Sequence, residues 1–239
     1  MSASATKRKD KRKGIDFSDL PKLRINDPAY DPIIDKCADN LEQARLALNL
    51  RWSTLMKYFD SKVYYTVYTH QIDTFAVTAS GAGYVVLMVN PDFSNALDQP
   101  VEDNAFGLLH EAMHVFMLDL ATSPDLMNDP VHEIAVEACV NHMVLKRLGR
   151  KKLPTITKTN PNTGKDSKES IGIDPKKIYN DYSKDVADPV SYETFISTPL
   201  VCYSELKRMS KPPATPRNKV CVHMSASGIG DDDGTGEGG

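Results

Sequence analysis

Two histidines and a glutamate lie within one apolar stretch of the sequence, "FGLLHEAMHVFMLDL" (106–120). His110 and His114 are four positions apart, so on a helix, which turns about 100° per residue, they share one face and can bind a single zinc ion. Glu111 points elsewhere and can act as general base toward a zinc-activated water. This HExxH pattern is typical of zinc peptidases. The alternative is a buried helix in which both histidines only make structural hydrogen bonds.

A catalytic zinc needs a third protein ligand and leaves its fourth position to water. The next apolar stretch, "VHEIAVEACVNHMVLKRLG" (131–149), offers Glu133, Glu137 and Asn141 at helical spacing, as one polar stripe. Glu137 is the preferred ligand because it lies mid-stretch among small apolar residues, with Glu133 second and His132 third. Members of the stripe that do not bind zinc would orient its ligands by hydrogen bonds. Alternatively, the stripe is a solvated face.

The other polar side chains give weaker signals. On a helix, His142 would be turned about 140° from Glu137, which places it at the surface or against a loop. Tyr179 and Tyr182 are candidates for assisting a developing oxyanion, although no spacing in the sequence connects them to the histidines.

The preceding chain supplies the elements that would position this site. Helical spacing of apolar residues in 32–59 predicts one or two helices, with a possible break at "NLRWS". Three stretches of strand character follow, and short turns between them predict a three-stranded antiparallel meander. They are "KVYYTVYT" (62–69), "DTFAVTA" (73–79) and "GYVVLMVN" (83–90). The third could hold an extended peptide as an edge strand, and "NPDF" would end it.

The two site helices and the rest of the chain complete the predicted fold. Asp103 or Asn104 would cap the HExxH helix, and Gly149 would end the second helix. The polar segment 154–172 predicts a mobile loop and 174–184 a short helix, whereas 191–209 has no clear pattern. The predicted fold class is α+β and zincin-like, with the meander packed on helices.

Composition bounds the domain organisation. Residues 1–28, which include "KRKDKRK", predict a basic disordered tail, 29–210 the zincin-like domain, and 211–239 a flexible tail or linker rich in glycine and aspartate. A net charge of −3 gives no general reason to expect nucleic acid as a partner, and the basic run is better explained as a solvated tail. Four cysteines without a CxxC pair, and the absence of a long apolar run, favour a cytoplasmic protein that does not bind membranes.

Several stretches resemble one known family, the metallopeptidase domain found before a VWA-like domain in bacterial and phage proteins. The resemblance covers roughly residues 35–185 and rests on the spacing of the two helices as well as on HExxH. The matching stretches are "TFAVTASGAGYVVLMVNPDF", "LLHEAMHVFMLDL", "EIAVEACVNHMV" and "IGIDPKKIYNDY".

The resemblance implies a zincin-like fold and peptidase activity on a peptide or protein substrate. The family has an acidic residue followed four positions later by asparagine on the second helix, and Glu137 and Asn141 match these positions. Aspartate is usual there, so glutamate is a departure. A second departure is the absence of a VWA-like half, since "GIGDDDGTGEGG" looks like the family's linker. Relatives often accompany AAA+ ATPases, which the resemblance alone suggests as partners.

Overall fold

A computed structural model describes residues 32–79, 85–117, 126, 129–159 and 163–213. The predicted tail 1–28 and most of the predicted tail 211–239 lie outside these residues. In chain order, the elements are α1 (Pro32–Lys62), β1 (Val63–Tyr68), β2 (Phe75–Ala79), β3 (Val85–Val89), α2 (Pro91–Ala96), α3 (Pro100–Phe116), α4 (Pro130–Leu148), β4 (Thr155–Thr159), β5 (Asp166–Ser170), α5 (Pro175–Asp185), α6 (Tyr192–Phe195) and α7 (Pro199–Leu206). The architecture is therefore mixed α+β and mostly helical.

The long helix α1 is interrupted where the sequence predicts a break. Trp52 leaves the helical conformation, with φ −136° and ψ 51°. The N-terminal half buries one side, including Cys37, Ala44 and Leu48, and α1 packs mainly against α3. α1 thus backs the helix that carries both histidines.

The three predicted strands form, but the predicted antiparallel meander is wrong. The strand order is β1-β3-β2, with β1 parallel to β3 and β2 antiparallel to β3. All five residues of β3 are buried, so packed side chains cover both faces of this strand. The strand proposed as a peptide-binding edge is therefore central, and β2 is an edge strand among the described residues.

The segment predicted as a mobile loop contains a second, two-stranded sheet. β4 and β5 pair antiparallel, from Thr155 opposite Ser170 to Thr159 opposite Asp166. Three threonines alternate along β4, and β-branched residues favour strands. Asp98, just after α2, holds the hairpin by accepting hydrogen bonds from the hydroxyls of Thr155 and Thr157, both at 2.7 Å.

The helices α3 and α4 begin at prolines, and the cap predicted for α3 is wrong. Gln99 occupies the N-cap position without a side-chain bond. Asp103 instead lies in the first turn, where its Oδ2 accepts the Gln99 amide at 3.1 Å, and Asn104 is buried within the helix. α4 is capped by Asp129 and ends at Gly149 with φ 67°, as glycine allows.

Two hydrophobic cores lie on different faces of α4, which explains why so much of this helix is apolar. The larger core joins α1, the mixed sheet and α3 to Val136, Val140 and Val144. The smaller core joins the other face of α4 to α5, α6 and α7, and includes Tyr182 and Phe195. Among the described helices, none has the length and hydropathy that crossing a bilayer requires.

Candidate metal centre

The two histidines of α3 point their rings at each other in the protein interior. His110 Nε2 and His114 Nε2 are 2.9 Å apart, and both side chains are fully buried. The apolar residues around them make α3 a buried helix, and the four-residue spacing places both rings on one face. The HExxH face therefore lies inside the fold, against α4.

Glu137 of α4 completes a cluster with the two imidazoles. Its Oε2 lies 3.5 Å from His110 Nε2, and its Oε1 lies 3.4 Å from His114 Nε2. Zinc ligands at about 2.1 Å in tetrahedral geometry are roughly 3.4 Å from one another. The glutamate separations match that value, and the two nitrogens are somewhat closer. The three buried side chains can hold a metal ion, and among the described residues they are the one such group of histidine, cysteine and acidic side chains.

Asn141, one helical turn beyond Glu137, determines which nitrogen of His110 carries the proton. Its Nδ2 donates to the Ile173 carbonyl at 3.0 Å, which leaves Oδ1 as an acceptor facing His110 Nδ1 at 2.9 Å. His110 Nδ1 must therefore donate, since an amide oxygen has no proton to give. In the neutral ring, Nε2 then has its lone pair directed at the cluster, as metal ligation requires.

Glu111 is the second carboxylate of the site and has unusual surroundings. It is fully buried, and neither of its oxygens has a well-formed hydrogen bond. Burial raises the pKa of Glu111 to about 8, the charge of His114 lowers this pKa, the charge of Glu137 raises it, and the backbone amide of Val77 in β2 lowers it. Removal from water thus disfavours the carboxylate more than these neighbours favour it.

A cation would resolve the electrostatic cost of this arrangement. Two carboxylates buried near each other disfavour each other's ionised forms, and burial alone disfavours both. A divalent ion among the three ligand atoms would favour ionised Glu137 and lower the pKa of Glu111. The donor set of two imidazoles and one carboxylate suits zinc, which is commonly bound by such nitrogen and oxygen ligands. These residues therefore fit the predicted metal.

The other candidates from the sequence lie outside the cluster. Glu133 is half-buried in the first turn of α4, and the buried ring of His132 contacts Tyr203. Tyr179 donates to the Val190 carbonyl at 3.0 Å, and Tyr182 donates to Glu205 in the smaller core. Both tyrosine hydroxyls are thus engaged away from the histidines.

Two parts of the site have no signal in the sequence. The carbonyl of Ile173 and the amide of Val77 are backbone groups, which any residue at these positions supplies. Only the three-dimensional path of the chain brings them to Asn141 and Glu111. No protein-family model, curated protein or solved structure matches this chain, so the functional interpretation rests on the geometry of the cluster.

Proposed function

We propose that the protein is a zinc-dependent metallopeptidase. The observation that carries the proposal is the convergence of His110 Nε2, His114 Nε2 and the Glu137 carboxylate, at 2.9–3.5 Å, beside a second buried carboxylate. The second carboxylate, Glu111, lacks a well-formed hydrogen bond of its own. A structural helix pair would have no use for a buried acid without a well-formed hydrogen bond, whereas a hydrolytic site needs a carboxylate as general base.

Each side chain then has a distinct role. When bound, zinc supplies Lewis acidity, which activates a water and polarises a peptide carbonyl. His110, His114 and Glu137 hold the ion, and Asn141 keeps His110 in the ligating tautomer. Glu111 accepts a proton from the attacking water and delivers it to the leaving amine, so that one carboxylate acts first as base and then as acid.

The number of protein ligands favours catalysis over a purely structural site. Structural zinc sites normally have four protein ligands, whereas catalytic sites have three and leave one position open. Among the described residues, the cluster provides three ligands. The edge strand β2 lies on the Glu111 side of the site through Val77, and an extended peptide added to this edge would pass the general base.

Zinc content and hydrolysis measured together test this proposal. Glu111→Gln keeps the shape of the side chain but cannot accept a proton, so we expect one zinc per chain and a loss of hydrolysis of about 10²- to 10⁴-fold. Zinc is measured by elemental analysis and hydrolysis with a library of quenched fluorescent peptides. Glu133→Gln on α4 is the matched control and should retain both properties.

Two results would overturn the mechanism. One is hydrolysis that survives in Glu111→Gln, since another group would then have to be the base. The other is stoichiometric zinc in Glu137→Ala, since the ligand set would then be different.

A second candidate function is a catalytically silent adaptor in which the metal only joins α3 to α4. The complete burial of all three ligand side chains is the observation that favours it, because structural sites exclude solvent. This candidate requires stoichiometric zinc that stabilises the fold, together with a wild-type protein that cleaves no member of the peptide library.

A further inference from the structure

A concave pocket of about 460 Å³ lies at the C-terminal end of α4. Four parts of the chain form its walls: the last turns of α4 with the segment that follows, the end of β5, the start of α5, and α6. None of its lining residues belongs to the histidine cluster. Its volume falls within the range of about 300–1,000 Å³ that is typical of small-molecule sites.

The pocket is strongly basic, although the chain as a whole carries a net charge of −3. Five basic side chains line it against a single carboxylate, that of Asp174. This carboxylate is already used, because its Oδ1 accepts the backbone amides of Lys176 at 2.9 Å and Lys177 at 3.2 Å. Asp174 therefore caps α5, and its single negative charge offsets one of the five positive charges of the pocket.

Four of the five basic groups have no carboxylate partner among the described residues. Arg150 is the exception, since it forms an ion pair with the buried Asp103 at 2.7 Å. The other four are exposed lysines: Lys146, Lys151, Lys152 and Lys176. Bringing four ammonium groups to one concavity costs electrostatic free energy, which a bound anion would recover.

The positive charge of the lysines affects the pKa of a histidine in the pocket wall. His142 is half-buried in the pocket wall, and burial lowers its pKa most, with Lys146 and Lys176 acting in the same direction and Glu193 opposing them. Its Nδ1 lies 3.0 Å from the hydroxyl of Tyr192. These two rings, with Leu145, Leu153 and Pro175, give the pocket an apolar wall beside its basic one.

We propose that this pocket binds a small molecule that carries several phosphate groups, of the size of a nucleoside triphosphate. A triphosphate has roughly three to four negative charges at neutral pH, which matches four unpaired lysines. The apolar wall suits a planar base or another ring. A nucleic-acid strand fits less well, because the basic groups surround a concavity and the net charge of the chain repels a long polyanion.

Calorimetric titration of the full chain, freed of metal, tests this with inorganic triphosphate and with adenosine triphosphate at low salt. We expect both to bind, the nucleotide more tightly, and both to weaken as salt increases. Lys146→Glu/Lys176→Glu should weaken binding at least tenfold. Lys177→Glu is the matched control. Lys177 is exposed next to Lys176 on α5, but it does not line the pocket. The titration uses metal-free protein, which keeps this test independent of the metal centre.

Three results would overturn the proposal. The first is the absence of binding at millimolar triphosphate. The second is binding that Lys177→Glu weakens as much as the double variant does, since the site would then lie elsewhere. The third is binding of a single-stranded oligonucleotide, lost in the double variant, by a protein that binds neither small phosphate compound, which would assign the pocket to nucleic acid.

Discussion

The candidate metal centre also relies on one amide side chain that is not itself a ligand. His110 can bind a cation through Nε2 only if its proton stays on Nδ1, and the short path from Nδ1 to Asn141 and on to the Ile173 carbonyl enforces this. The same path fixes the rotation of the ring. Because His110, Asn141 and Ile173 are all buried, the packed chain orients the ring whether or not an ion is bound.

Asn141→Ala should therefore weaken zinc binding without removing a ligand. We expect the affinity, measured by competition with a chelator, to fall about 10- to 100-fold. The melting temperature of the metal-free protein should fall less than it does in a variant of a large core residue such as Leu109→Ala. Glu133→Ala on the same helix is the control and should bind zinc normally. Unchanged zinc affinity in Asn141→Ala would show that the tautomer is fixed by another group.

At the residue scale, the sequence can predict which side chains share a helix face, because helical spacing is a local property. His110 and His114 share a face by their separation alone, and the stripe on the next apolar stretch correctly places Glu137 on the buried side. The choice between Glu137 and Glu133 depends on how two helices pack. The structure brings Glu137 to the histidines and leaves Glu133 half-buried near the helix start.

At the scale of elements, the close approach of α3 to β2 brings Glu111 near the sheet. Gly107, one turn before Glu111, makes this approach possible, because a Cβ at this position would lie 2.9 Å from the Phe75 ring. That ring is buried and packs edge-on against Phe93, with centroids 5.8 Å apart. A shift of this ring would therefore disturb its packing against Phe93.

Gly107→Ala should destabilise the protein even though alanine is the better helix former. The gain in helix propensity is about 1 kcal/mol, whereas overpacking a core costs about 1–3 kcal/mol. We expect a net loss in the free energy of unfolding, measured by urea denaturation. Gly149→Ala is the comparison, because a Cβ there would meet no neighbouring atom although φ is +67°. We expect this variant to lose about 1 kcal/mol in the free energy of unfolding, from backbone strain alone. A stabilised Gly107→Ala protein would mean that α3 and β2 separate easily.

The sequence predicts the positions of β1, β2 and β3 but not their order. Alternation and turn residues are local, and adjacent strands often pair, which favours a meander. In this fold, β3 lies between β1 and β2, and this order depends on packing between distant parts of the chain. The run "VVLMV" (85–89) is apolar throughout, which is the one local sign of a central strand. The sequence does not predict the hairpin of β4 and β5, because its exposed strands are polar and lack the alternating apolar residues that indicate a strand.

At the scale of the whole molecule, α4 connects the larger hydrophobic core to the smaller one, and Asp129 caps its first turn. The Oδ1 of Asp129 accepts the Val131 amide at 2.9 Å, while its Oδ2 contacts the Tyr203 hydroxyl at 2.9 Å and Lys207 Nζ at 2.8 Å. These contacts tie the N-terminus of α4 to α7. The helix that carries Glu137 is thus held from the side of the smaller core.

This tie should make stability depend on acid in a predictable window. The ion pair with Lys207, followed by the hydrogen bonds, lowers the pKa of Asp129 to about 2, whereas an unfolded aspartate titrates near about 3.9. The stabilisation is therefore complete above about pH 4 and is lost as the pH falls toward 2.

Asp129→Asn keeps a good helix cap but has no charge. This variant should cost about 0.2–1 kcal/mol at pH 7 and approach wild-type stability near pH 2. Urea denaturation of metal-free protein across this range measures both effects, with the exposed Asp181→Asn as control. If Asp129→Asn lost as much stability as wild type between pH 5 and pH 2, the charge of Asp129 would not hold α4 to α7.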